Sequence, residues 1–538
     1  MNILGISTPG PNAAAALFDN RGIVAAVEEE KLTRFNDSHA LPQLALQQVL
    51  GAAALRFSDV GTIAFADRGA KYRSGPKKSP AREAMLARLR QLLAGRRFLS
   101  FDHHLCHAAS AFYTSDFSRS LILTLDHGAN SSSGLIAIGE DDSLKSLHSL
   151  TFPNSLGWFY SRVTQLAGLR PHRDEHKLQW LSKDGQPEYL EIFRKLFSWN
   201  SKGLPSFDRR YFTHGPDGSG IFAPRLYREL GLSRSAIPER ATRASLARSA
   251  QEALEEFVLQ LAENIREQIG VDSLCLAGGV FQNVLLVRAL EQRSSFRNVY
   301  VQPLAGNAGT SLGAAFLARK RATGRSGRVP LGSLALGPEP TSHEIKSVLD
   351  NCKIVYKYLN SEDELLAETT HQLRRGKIVG WCQGRTEFGH RALGNRSLLA
   401  SPFNEYVLDN VNQFIKHREE FHPFALSVPA ERVHEYFDCG SNCRFMASLG
   451  DLKNSIAGLE RFTFNGNAVR VHTVERQASP LFWQLLHKFG ESAPAPILVN
   501  TSFNLFGEPL VTDPRSAVRS FYCSGVDALA IGSFLVVK

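Results

Sequence analysis

The segment 103–107 reads HHLCH, so His103 and His107 stand four residues apart. On a helix that spacing puts both imidazoles on one face, within range of one divalent ion. No Glu follows His103, so the H-E-x-x-H pattern of a zinc peptidase is absent. Taken alone, the pair reads equally as two metal ligands or as two structural, hydrogen-bonding histidines. Downstream, the apolar run 121–125 predicts a strand that ends in Asp126-His127-Gly128. A carboxylate at a strand end commonly faces the ligand crevice of an α/β fold, and imidazole with carboxylate suits Fe2+, Mn2+ or Zn2+. Asp126 is therefore the expected third ligand. His127 has two readings that the sequence leaves open, an outer donor beside the metal or a substrate-facing acid or base.

A second group of residues has the opposite charge. The segment 384–397 (GRTEFGHRALGNRS) brings Arg385, Arg391 and Arg396 into a glycine-rich loop, and Lys416-His417-Arg418 follows. Guanidinium forks and an ammonium neutralise clustered anionic oxygens, which predicts a phosphate-handling cleft. A surface arginine cluster is the plainer alternative. The run 500–504 (NTSFN) follows a short apolar strand and offers polar groups at its end to orient a small amide-bearing anion. Gly278, Gly279, Gly306 and Gly309 mark strand-to-helix turns where backbone can approach a ligand closely. No GxxxxGK[ST] segment accompanies them, which disfavours a P-loop kinase or ATPase.

The elements that must position these groups alternate between strand and helix. Short apolar runs at 2–7, 13–18 and 23–27 predict strands joined by tight turns. Leu254, Phe257, Val258, Leu261 and Ile265 recur at helical spacing, and Ser249 with Glu252 suggests a capping box, so a helix is predicted over about 250–269. A strand at 273–277, a helix at about 281–292 and a strand at 299–302 follow, giving an α/β architecture. The Arg/Gly/Pro/Ser-rich stretch 319–346 is the expected domain boundary. Beyond it, a helix near 361–375, strands at 378–382 and 497–499, and apolar strand material over 528–537 are predicted.

Composition narrows the function classes. A chain of 538 residues with 43% hydrophobic and 21% charged residues is expected to fold into two or more domains and excludes a disordered polymer. Its 62 basic and 52 acidic residues leave a net charge of +10, which favours anionic ligands. The basic stretch 71–97 could attract an acidic partner or be a solvated face, but it lacks the aromatics or module of a nucleic-acid binder, so no nucleic acid is expected. Seven cysteines without a CxxC pair fit a reducing cytoplasm. No basic lead precedes an apolar stretch in residues 1–10 and no run spans a bilayer, so neither export nor a membrane partner is expected.

Together, the segments 26–34 (AVEEEKLTR), 103–112 (HHLCHAASAF), 152–157 (FPNSLG), 276–283 (LAGGVFQN), 384–397, 422–425 (HPFA) and 500–511 (NTSFNLFGEPLV) follow one family's order along nearly the whole chain. The chain resembles the carbamoyltransferases that include nodulation O-carbamoyltransferases and antibiotic-tailoring enzymes. The resemblance implies a Kae1/TsaD-like, ASKHA-type α/β region over 1–345 and a YrdC-like α/β domain over 346–538. It implies that the second makes carbamoyladenylate from carbamoyl phosphate and ATP with Mg2+. The first would transfer the carbamoyl group, with a divalent metal such as Fe2+, to a hydroxyl of a natural-product or saccharide-like acceptor in specialised metabolism. An amine acceptor, a different acyl transfer and a non-catalytic nucleotide-binding scaffold are the alternatives. A homodimer is compatible with this reading.

Carried over residue by residue, His103, His107 and Asp126 resemble three metal ligands, and the fourth, an Asp in the family's AGDAG, is Asn307 in AGNAG. An amide oxygen carries no charge, so weaker cation binding is expected. Gly278, Gly279, Asn283, Arg385, Arg391, Lys416, Arg418, Arg470, Ser502 and Asn504 are the expected substrate and nucleotide contacts. Arg470 lies in AVRVHTV, where the family has TARVQTV. His103, His127 and Arg418 are the expected catalytic groups. The family's His-Asp pair near the start is Pro11-Asn12 here, which removes the usual base for the acceptor hydroxyl and leaves His127 as the local candidate.

Overall fold

The computed structural model describes residues 1–7, 12–36, 41–67, 87, 91, 95–128, 132–214, 220–419, 421–453, 456, 458–464 and 466–538. Pro11 and most of the basic stretch 71–97 lie outside them.

The opening apolar runs form strands as expected. Ile3–Ser7 and Ala14–Phe18 are buried at every position. Ile3–Ser7 pairs antiparallel with Ala14–Phe18, which pairs antiparallel with Ile23–Glu28. The turn between the last two is held by the Asp19 carboxylate, which accepts the N–H groups of Arg21 and Gly22 at 2.7 and 3.1 Å. Thr62–Asp67 and Arg97–Asp102 complete a sheet in the order third, second, first, fourth, fifth.

The same order recurs further along. Arg119–Leu125, Ser132–Glu140 and Ser143–Thr151 form an antiparallel meander, and Ser273–Ala277 and then Asn298–Val301 add in parallel on the other side of the first strand. The α/β expectation thus holds, with one strand order used twice.

Between the meander and the parallel strands runs the helix Arg240–Ile269, which begins ten residues before the predicted start. The Ser249 capping box does not form. Ser249 is buried inside the helix and its hydroxyl donates back to the Ser245 carbonyl at 2.8 Å. Buried Ala244, Leu246, Ala247 and Ala250 extend the apolar face upstream, and packing overrides the local cap signal. Gly270, with φ +59, ends the helix as a left-handed cap.

The C-terminal region forms a ten-stranded sheet. Its centre runs Ala528–Ile531, Val379–Cys382, Arg396–Ala400, Leu498–Ser502, Ala425–Pro429, Ala468–Val474. Side chains alternate between two cores. Leu398, Leu426, Val471 and Val499 face one, and Trp381, Leu399, Val474 and Leu498 face the other, where Phe482 and Leu486 of the helix Pro480–Gly490 pack. The predicted strand over 528–537 is instead a hairpin, Ala528–Ile531 and Phe534–Val537, because Gly532 takes φ +52 and turns the chain. The strand expected at 497–499 continues to Ser502, drawn out by pairing with Arg396–Ala400.

By compactness the chain forms two units, one gathering residues 1–65 with 329–538 and the other built from 100–328. The boundary at 328 falls inside the predicted linker. The opening segment nevertheless packs with the C-terminal region, which a linear reading does not anticipate. Among the described residues no helix is long and apolar enough to cross a membrane.

Candidate active site

The HHLCH segment opens the helix His103–Phe112, capped by Asp102, whose carboxylate accepts the Leu105 N–H at 3.0 Å. The predicted one-face arrangement follows: His103 Nε2 and His107 Nε2 lie 3.2 Å apart. Asp126, just past the strand Arg119–Leu125, brings Oδ2 to 2.8 Å from His103 Nε2 and 3.3 Å from His107 Nε2. The three ligand atoms lie within 4.8 Å of one another. Burial alone would raise the Asp126 carboxyl, but His107 and His103 outweigh it and hold it well below the usual carboxylate range. Two imidazole nitrogens and one ionised oxygen converging on one point fit a divalent transition metal.

Loops fix that geometry. Gly279 donates its N–H to Asp126 Oδ1, and Gly278 takes φ +97 where a Cβ would meet the Leu125 carbonyl at 2.2 Å. Gly279 therefore approaches the carboxylate itself, and Gly278 the backbone of Leu125. Ser155 donates to the carbonyls of Asp126 and His127 at 3.1 and 2.8 Å, and a Cβ on Gly157 would strike the Asp126 carbonyl. His127 is half-buried, with its ring 4.2 Å from that of His172. Asn307 opens the turn Asn307–Gly309, which packs against the helix His103–Phe112. Asn283 caps the helix Val284–Arg293 and exchanges amide hydrogen bonds with Gln251 at 2.8 and 3.2 Å, so both ends of its side chain are engaged.

The cationic residues gather at one end of the central strands of the ten-stranded sheet. Ser397 is opposite Ser502, and Ala425 is opposite both Asn500 and Arg470. Lys416 is buried and donates to Ser502 Oγ at 3.1 Å, to Asn504 Oδ1 at 2.6 Å and to the Ser502 carbonyl. Among the described residues no carboxylate pairs with it, and burial with the adjacent Arg418 pushes its ammonium well below the usual lysine range. Arg418 lies over the Phe424 ring at 4.5 Å and donates Nε to Asn412 Oδ1 at 2.8 Å, while its buried Nη2 has no partner among the described residues. Burial takes Arg418 down to about 10, with Glu419 opposing. Arg391, half-buried, is likewise pushed down to about 10 by burial.

A family model described as Carbamoyltransferase N-terminus matches residues 71–316, and one described as Carbamoyltransferase C-terminus matches residues 370–538. The chain belongs to the carbamoyltransferase family. An uncharacterised protein of Synechocystis sp., sll1178, is 32% identical over 100% of this chain and 97% of its own. Nodulation protein NolNO of Sinorhizobium fredii is 31% identical over 98% of this chain and 79% of its own. The 3'-hydroxymethylcephem-O-carbamoyltransferase of Amycolatopsis lactamdurans is 34% identical over 31% of each chain.

Not every arginine of this carbamoyltransferase reaches the cleft. Arg385, expected there, spends its donors on the carbonyls of Gly337, Val24 and Leu336 at 2.6–3.1 Å. Arg396, 2% exposed, does the same with Gln383, Gly384 and Asn395. Both brace the loop that carries Arg391.

Sequence reasoning assigned no role to the segment that clamps that loop from the start of the chain. Lys31, 1% exposed, donates Nζ to the Glu387 and Gly389 carbonyls at 2.5 and 2.6 Å and pairs with Glu28 at 2.9 Å. Glu28 in turn accepts the Gly389 N–H at 2.7 Å. Arg34 bonds the Leu510 and Pro509 carbonyls and the Glu508 carboxylate beyond the NTSFN strand end. Glu30 accepts from Asn12 Nδ2 at 3.1 Å. The signal was the charge run EEEK, which normally marks a solvated helix face and here is buried.

Proposed function

We propose that this enzyme is an ATP-dependent O-carbamoyltransferase working in two half-reactions. The observation that carries the first is a set of buried and half-buried cations that no carboxylate pairs with among the described residues. Lys416, Arg418 and Arg391 are all depressed by burial, and an isolated buried ion costs several kcal/mol unless countercharge arrives. Carbamoyl phosphate and ATP with Mg2+ supply it. Water cleaves carbamoyl phosphate to carbamate and phosphate. A carbamate oxygen then attacks the α-phosphorus of ATP, pyrophosphate leaves, and carbamoyladenylate remains. Arg418 and Arg391 hold the anionic oxygens, and Ser502 and Asn504 orient the amide-bearing group with Lys416 between them.

In the second half-reaction an acceptor oxygen forms a bond to the carbamoyl carbon, the bond to AMP breaks, and the hydroxyl proton passes to a base. His127, the histidine beside the metal carboxylate, is the base this reading assigns in place of the family's His. His103, His107 and Asp126, with the Asn307 oxygen, would hold the metal, Fe2+ in this reading, which supplies Lewis-acid stabilisation of developing oxygen charge. Activation belongs to the YrdC-like region 346–538 and transfer to the Kae1/TsaD-like region 1–345. A cephem O-carbamoyltransferase among the relatives favours a small natural-product hydroxyl as acceptor, in a cytoplasmic setting.

Mass-resolved product analysis with carbamoyl phosphate, ATP and a panel of hydroxyl and amine acceptors tests this reading. Pyrophosphate and AMP with a carbamate ester are expected. ADP release would point to phosphoryl transfer, and a carbamoylated amine would replace the hydroxyl assignment.

A further inference from the structure

Three polar side chains on neighbouring strands of the C-terminal sheet form a buried group that the scheme above does not use. Ser427 is opposite His472, and Asn500 is opposite Ala425 two residues before Ser427, so all three share one face. They are 0%, 3% and 1% exposed. Ser427 Oγ lies 2.9 Å from His472 Nδ1. Asn500 Nδ2 lies 3.2 Å from the Ala392 carbonyl, 3.1 Å from Ser427 Oγ and 3.4 Å from His472 Nδ1.

The protons in this group can be placed by elimination. A carbonyl only accepts, so the end of Asn500 facing Ala392 is its amide nitrogen, and that nitrogen also donates to Ser427 Oγ. Ser427 then has one proton to give, and it goes to His472 Nδ1. Nδ1 is therefore an acceptor, and the proton of the neutral ring sits on Nε2. Burial takes the imidazole down to about 3, so the ring stays neutral around pH 7. Nε2 has no hydrogen-bond partner among the described residues, and His472 lines a cavity with Asn395, Glu387, Arg444 and Glu475.

Of the two acids of that cavity Glu475 is paired, whereas Glu387 engages one oxygen and leaves its buried Oε2 without a hydrogen-bond partner among the described residues. Glu475 pairs with Arg444 at 2.8 Å, and Glu387 Oε1 accepts the N–H groups of Leu393, Asn395 and Arg396 at 2.8–3.1 Å. Arg470 stands two residues before His472 on the same face of the strand, and Arg391 immediately precedes Ala392. A neutral N–H thus adds an uncharged donor on the strand face that carries Arg470.

We propose that His472 contacts the substrate of the activation half-reaction, its Nε2–H donating to a phosphate oxygen of carbamoyl phosphate. Ser427 and Asn500 are positioning residues that fix the tautomer. A glutamine at position 472 would carry an amide N–H that can serve as the same donor. The assignment deepens the activation reading and rests on it.

Carbamoyl phosphate binding is measured by calorimetry without ATP, and KM values by pyrophosphate release, for wild type, His472→Leu, His472→Gln and Ser427→Ala. A lost hydrogen bond to a charged oxygen predicts roughly tenfold or more weaker binding and a matching rise in carbamoyl phosphate KM for His472→Leu, with ATP KM unchanged. His472→Gln should stay within about threefold of wild type, and Ser427→Ala should fall between. Wild-type affinity in both His472→Leu and Ser427→Ala overturns the assignment, as does equal loss in the Leu and Gln variants. If His472→Leu does not fold, Ser427→Ala decides through the same KM split, a wild-type value overturning the proposal. Wild type that binds carbamoyl phosphate yet releases no pyrophosphate refutes the activation reading, and the binding comparison still decides the donor.

Discussion

At Asp126 two imidazoles meet a half-buried carboxylate and hold it ionised against the cost of burial, whereas at Lys416, Arg418 and Arg391 burial works against the charged form. The triad is a site whose charge the protein itself stabilises, and a cation of suitable ligand preference completes it. The cationic group keeps positive charge that no described carboxylate pairs with, a cost that bound phosphates would offset in the proposed reading. The contrast separates a pre-assembled centre from one that is finished by its substrates. Experiments that remove one charge at a time should therefore act on different half-reactions.

The largest effect is expected in the cleft. Arg418→Ala removes a guanidinium aimed at the anionic oxygens and should lower kcat/KM for carbamoyl-phosphate-dependent pyrophosphate formation by about 100- to 1000-fold. Transfer from carbamoyladenylate supplied directly should be far less affected. Wild-type pyrophosphate formation would break the comparison at its cationic side.

His103→Ala should do the reverse. Transfer from supplied carbamoyladenylate is expected to drop by at least about 100-fold with loss of bound metal, while pyrophosphate formation persists. Chelation of wild type should reproduce the same pattern. If stripped wild type and His103→Ala both transfer at the undiminished rate, the histidines are structural and the triad has no part in the reaction.

A third test uses pH. His472 is held down to about 3 in the folded protein, against about 6.5 for an unperturbed imidazole. The unfolded chain therefore binds more protons below pH 6.5, and stability falls as pH drops through the window from 6.5 toward 3. At 1.36 kcal/mol per unit, lowering pH from 6.5 to 4.5 should cost about 2–3 kcal/mol, and His472→Gln should remove that part of the acid sensitivity. Chemical denaturation at both pH values reads the difference. An identical acid loss in the variant would mean the ring protonates without penalty in the fold.

Local spacing made the triad legible. HHLCH is a helix with both nitrogens on one face, and Asp126 sits at its strand end. What the sequence could not disclose was the partner of each arginine. Arg385 and Arg391 are six residues apart in one loop, yet one braces backbone from Val24 and the other makes no side-chain hydrogen bond among the described residues, a distinction set by a contact spanning 361 residues. Lys31 and Glu387 are separated by 356 residues, so nothing local marks the EEEK run as a buried clamp. The Ser249 cap failed for a related reason, since the apolar face upstream is decided by tertiary packing rather than by the capping pattern.

The smallest expected effect concerns the one triad neighbour that departs from the family. Asn307 belongs to a turn packed against the helix His103–Phe112, and in the proposed reading its amide oxygen is a neutral fourth ligand. Asn307→Asp would add a charged oxygen to a set that already holds one carboxylate, and hard oxygen donors favour divalent cations more strongly when ionised. A gain of about tenfold in metal affinity is expected, read by competition with a chromophoric chelator rather than by turnover. Transfer rate should move less than affinity, because a tighter cation withdraws charge from the same oxygens it must later release. His103→Ala in the Asn307→Asp background is the control: loss of the gain there places Asn307 beside the triad. A gain that survives without His103 would put the added carboxylate at a separate cation site, leaving the three original ligands to work alone.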